Sequence, residues 1–126
     1  MRRRIKICFS DITVVEGELN ESPTAALIWD ALPIEGEVNL WGEEIYFSIP
    51  VEAELEDTAK DVVERGDLGY WPPGHAFCVF FGPTPMSQAD EIRPASPVNI
   101  VGKIKEPHAV EALKRVAKGD KVRLDR

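Results

Sequence analysis

GDLGYWPPGHAFCVFFGPTP, residues 66–85, places four glycines and four prolines around the most apolar run of the chain. Leu68 to Trp71 reads as a short strand. Pro72-Pro73-Gly74 cannot extend it, because neither proline has an N–H to give to a ladder. Pro73-Gly74 suits the centre of a type II turn, with the glycine taking the positive φ. Ala76 to Phe81 then forms a strand apolar on both faces, Phe77, Val79 and Phe81 opposite Ala76, Cys78 and Phe80. Strands covered on both sides read this way. Gly82-Pro83 stops it. The punctuation marks two corners around one buried strand, beside a ligand cleft.

Working outward, RIKICFSDITVV (4–15) alternates, with Ile5, Ile7 and Phe9 on one face and then Ile12 and Val14 after a change of phase. That predicts two strands or one bulged hairpin. Ser22 and Pro23 open a helix as N-cap and first helical residue, Leu27, Ile28 and Trp29 face the core, and Pro33 ends the helix near Leu32. EVNLWGEEIYFSI (37–49) holds two strands divided by Gly42. VEAELE (51–56) alternates as a half-buried strand with an acidic outer face, and Asp57 caps a short helical turn through Val62 or Val63. Strand NIVGKI (99–104), a helix over 108–119 bracketed by Pro107 and Gly119, and strand KVRLD complete the chain. Many short strands with two small helices suggest a closed or nearly closed barrel in a single domain, 1–126.

The bulk properties narrow the function. Twenty-two acidic against 15 basic side chains give a net charge of −7. That argues against nucleic acid as partner, since phosphate binding needs clustered Lys and Arg. The one basic cluster, Arg2-Arg3-Arg4, reads as the solvated start of the first strand. No signal peptide or membrane-spanning run is visible, so a cytoplasmic location is expected. Cys8 and Cys78 have neither metal-ligand spacing nor a disulfide framework, and are expected reduced, with a bridge between them left open. His75 and His108 lack a close third ligand, so no metal is expected. Gly69 to Gly74 has the glycine spacing of a phosphate loop, but His75-Ala76 stands where Lys-Ser/Thr is required. Glu43-Glu44 and Asp90-Glu91 read as solvated faces, and no cofactor is implied.

Gly66-Asp67, Tyr70-Trp71, Pro73-Gly74 and FFGPTP (80–85) resemble a family of bacterial and archaeal cyclophilin-like proteins of unknown function. SPTA (22–25), PIEGEVNLWGEEIYFSIPVE (33–52) and RPASPVNIVGKI (93–104) are similar to the same family, in order and at compatible spacing. The resemblance implies a mainly β fold, a cyclophilin-like closed antiparallel barrel of about eight strands with two short helices. It implies no particular reaction. The signature of active cyclophilins is an arginine, a phenylalanine five residues on, a glutamine three further and a glycine-rich run. Arg4 and Phe9 have the first spacing, but Ile12 stands at the glutamine position and no glycine run follows, which argues against an enzyme.

The expected activity is therefore a binding module for a small ligand or short peptide. The alternatives are a degenerate prolyl cis/trans isomerase and a structural subunit, such as a homodimer paired through an exposed strand. The candidate ligand-binding residues are Trp71 at the proline corner, His75 beside it, Phe80 and Phe81 of the apolar strand, and Arg93, Ser96 and Asn99 of the following loop. Such a loop can direct a few polar groups into an apolar cleft.

Overall fold

The alternation of Ile5, Ile7 and Phe9 is realised as strand β1 (Arg3–Phe9), which turns back antiparallel into β2 (Thr13–Leu19) with Ile7 opposite Val15. The computed structural model describes residues 3–126, and Arg2 of the basic cluster lies outside the described residues. Helix α1 (Pro23–Ala31) starts where Ser22 Oγ accepts from Ala25 N, and Pro23 takes the first position. Ile28 is buried, but Leu27 is exposed and Trp29 only half-buried, so the helix presents a narrower face than its sequence suggests. There follow β3 (Ile34–Glu37), β4 (Asn39–Leu40), β5 (Glu44–Ser48), β6 (Asp67–Trp71), β7 (Ala76–Phe80), β8 (Asn99–Ile104) and β9 (Lys121–Asp125).

All nine strands join one antiparallel sheet in the order β3-β9-β1-β2-β8-β6-β7-β5-β4. The two outermost strands of that order are consecutive in sequence. Val38 between them still bonds to Asp120 O and Gly119 N, so the run 34–40 pairs with β9 at its start and β5 at its end, closing the barrel. Nine strands replace the eight expected because this run is divided at Val38.

Three other expectations are corrected. Residues 51–56 form no strand: Leu55 is exposed, and the backbone is held by side chains instead of a ladder. Tyr70 OH donates to Val51 O at 2.6 Å, and the Asn99 amide bonds both Glu54 O and Glu56 N. Backbone polar groups need partners, and here buried side chains supply them. No helical turn follows Asp57. The helix expected over 108–119 is a 3₁₀ helix over Pro107–Arg115. Buried Val110 and Leu113, continued by Val116, recur every three residues, the period that keeps one edge of such a helix inward. Among the described residues no helix is long and apolar enough to cross a membrane.

The barrel interior is filled by Ile5, Phe9, Ile45, Phe47, Leu68, Tyr70, Phe77 and Val79, among others. A second apolar cluster lies outside the sheet. Ala76, Cys78 and Phe80, from the opposite face of β7, meet Val63, Ile92 and Val98 of the two segments folded over it. Those segments are tied to each other by backbone bonds, Lys60 with Val98 and Val63 with Ile92. The double-sided apolar pattern of β7 thus has an inner and an outer reason.

Candidate functional site

On the outer face of the sheet, β5 and β6 flank β7 so that Tyr46 and Gly69 stand either side of Cys78, and Glu44 stands beside Phe80. Gly69 has no side chain because Phe80 and Val98 meet over it; a Cβ there would lie 3.2 Å from each. Above this floor the covering segment brings Pro94, Ala95 and Val98. Together with Trp41, Tyr46 and Trp71 they enclose a cleft of about 120 Å³. A cavity of roughly 150 Å³ takes one benzene, so this cleft accepts a single ring or one compact head group. Two wider depressions lie over ladder surfaces that carry paired charges, Lys103 with Glu64 and Arg123 with Glu35, and a third lies between α1 and residues 50–52.

Trp71 is held on two sides. Its indole Nε1 donates to Ser96 Oγ at 2.7 Å, and the ring lies against Gly74, where a Cβ would come within 2.8 Å of it. The corner itself is one turn of 3₁₀ helix, Pro72–Gly74, in place of the expected type II turn. The left-handed residue is His75, with φ 48°, and the glycine serves the indole instead of the backbone.

The carboxyl of the cleft is that of Glu44, only 6% exposed. Burial pushes its carboxyl up to about 7, and the neighbouring Cys78 thiol offsets part of that rise. The thiol in turn is pushed well above its ordinary value, first by burial and then by Glu44. Among the described residues no lysine, arginine or histidine stands against the Glu44 carboxyl. The expectation that Glu43-Glu44 forms a solvated face is therefore wrong for Glu44. Cys8 and Cys78 are both free.

Of the residues expected at the site, Trp71 lines the cleft and Ser96 orients it. Phe80 is fully buried beneath the floor, whereas Phe81 faces the interior. His75 is exposed on the corner, its carbonyl accepting from Ile49 N. Arg93 Nε bonds Glu91 Oε2 at 2.6 Å, with Asp61 further off at 3.9 Å. Asn99 is fully buried with its amide committed to Thr24 Oγ1, Glu54 O and Glu56 N. Trp41, Glu44 and Tyr46 are the side chains that sequence reasoning missed. Their signal was indirect: if Cys78 and Phe80 need an outer cover, the flanking residues of β5 are covered too.

The profile of the cyclophilin-like family matches residues 3–125. The chain belongs to that family. A search of curated proteins finds no match. Among solved structures, this cyclophilin-like chain is similar to the hypothetical protein AF2241 from Archaeoglobus fulgidus, at 46% identity and a TM-score of 0.81, over 99% of this chain and 95% of that one. It is also similar to McbB, solved in complex with tryptophan, at 18% identity and a TM-score of 0.72, over 97% of this chain and 44% of McbB. The second likeness is one of fold alone.

Proposed function

We propose that this chain is a binding module for a small ligand or short peptide, taken up on the outer face of the barrel between Trp41, Tyr46 and Trp71. The observation that carries this reading is a preformed aromatic cleft whose single buried carboxyl has no countercharge. Small-ligand sites combine apolar walls with few polar groups in this manner, and the bonds to Trp71 lower the ordering cost of binding. A second reading is an enzyme in which Glu44 moves a proton, favoured by a carboxyl held near neutral pH. A prolyl isomerase has less support, because Arg93 is engaged by Glu91 and does not line the cleft. Pairing through an exposed strand has least, because the run 34–40 occupies both ends of the sheet order.

The test is an NMR titration of ¹⁵N-labelled protein against small aromatic fragments and Xaa-Pro peptides, with cis/trans exchange recorded in the same tube. Saturable shifts at the Trp41 and Trp71 indoles, lost in Ala95→Trp, are expected without faster exchange. Faster exchange would move the protein to the enzyme class. A library that leaves both indoles unmoved would sink the binding reading.

A further inference from the structure

The walls of the cleft are chemically unusual for a site meant to hold a neutral ring. Three aromatic side chains, Trp41, Tyr46 and Trp71, share it with one carboxyl, Glu44. The remaining lining is aliphatic, from Pro94, Ala95 and Val98. The indole N–H of Trp71 is already given to Ser96. The Tyr46 hydroxyl and Trp41 indole N–H could serve a neutral polar ligand, whereas an anion would meet Glu44 with no cation to offset it. A cation meets three aromatic side chains, whose rings can attract positive charge, and a carboxyl without a countercharge.

Resting on the binding reading above, we infer that the cleft is an aromatic cage for a methylated ammonium head group, with Glu44 as its counter-ion. Methylation matters because the aliphatic walls offer no acceptors for several N–H donors, whereas N-methyl groups spread the charge over a surface that packs against rings. The cleft of about 120 Å³ has room for one such head group. The head can be carried by a free amine or by a methylated lysine of a peptide.

Proton linkage follows from the same geometry. A bound cation favours the ionised form of Glu44 and lowers its pKa, so binding near neutral pH expels a proton. The groups facing that carboxyl are few. Cys78 lies beneath it from β7, Tyr46 stands beside it on β5, and Glu43 is turned away over Gly82, where a Cβ would clash with it. The lining residues of the covering segment carry no charge, and Arg93 is held by Glu91 and Asp61. Glu44 is thus the group whose proton responds.

The experiment compares choline with its neutral carbon isostere, 3,3-dimethylbutan-1-ol, by NMR at the two indoles and by calorimetry in buffers of different ionisation enthalpy. Choline is expected to bind at least about tenfold more tightly, the scale of a desolvated cation–π contact plus one counter-ion. At pH 6.5 its binding is expected to release a fraction of a proton. Glu44→Gln should abolish the proton release and reduce the preference for choline to the part the aromatic rings supply, and Trp41→Ala should reduce the choline affinity independently. A short peptide carrying trimethyllysine, set against its unmethylated twin, distinguishes the two carriers: tighter binding than choline assigns a peptide. Equal affinity for choline and the isostere, or proton release undiminished in Glu44→Gln, would overturn the cage while leaving the binding module intact. If neither these probes nor any library member moves the indoles, the binding reading fails and the cage with it.

Discussion

Glu44, the counter-ion of the proposed cage, is a liability to the fold. Its carboxyl is held near 7 by burial, against an ordinary value of 4.5. The folded state therefore binds the proton more strongly than the unfolded state. Below pH 4.5 both states are protonated and nothing is lost. Between 4.5 and 7 the unfolded chain ionises first, so stability falls as pH rises, by about 3 kcal/mol in all. Glu44→Gln mimics the protonated form. It is expected to match the parent near pH 4 and to exceed it by about 3 kcal/mol at pH 8, measured by urea unfolding at several pH values. A difference that stays constant with pH would show that the carboxyl is solvated after all.

At the scale of elements, the legible parts of the chain were those specified locally. The alternation of β1, the Ser22-Pro23 helix start, the break at Gly42 and the double-sided β7 are each written in a few adjacent residues, and each is present. The failures share a different cause. VEAELE alternates like a strand, yet strand formation needs a partner at the right place, and local pattern carries no record of one. Glu44 looked solvated because its cover comes from residues 94–98, some fifty positions away. Trp41 and Tyr46 were missed for the same reason. Close approach between elements is likewise invisible in sequence until the strands are paired. At Gly102 of β8 a Cβ would sit 2.3 Å from Glu18 O of β2, a backbone atom that cannot step aside. Gly102→Ala is therefore expected to destabilise the protein by about 3 kcal/mol, at the upper end of overpacking costs, read as a lowered urea midpoint. A loss below 1 kcal/mol would mean that β2 and β8 separate at that point without penalty.

For the molecule as a whole, sheet order matters more than chain order. Strand β9, the furthest along this sequence, sits between β3 and β1 and contributes Val122 and Leu124 to the interior. Ending the chain at Asp120 would leave β1 and β3 without their shared neighbour and open the barrel. Such a truncation is expected to lose its cooperative thermal transition and its dispersed NMR spectrum. A folded truncation would place the closing contacts elsewhere.

One strand, β7, faces the barrel with Phe77 and Val79 and the cleft with Cys78 and Phe80. Barrel wall and cleft floor are consequently the same piece of chain, and neither can be redrawn without the other. The roof is under no such restraint. Pro94 and Ala95 lie on a segment that touches the floor from outside, and Ala95 is exposed. Under the proposed function, exchanging residues 94–96 is expected to change selectivity on an unaltered barrel, as interchangeable loops do on other rigid scaffolds.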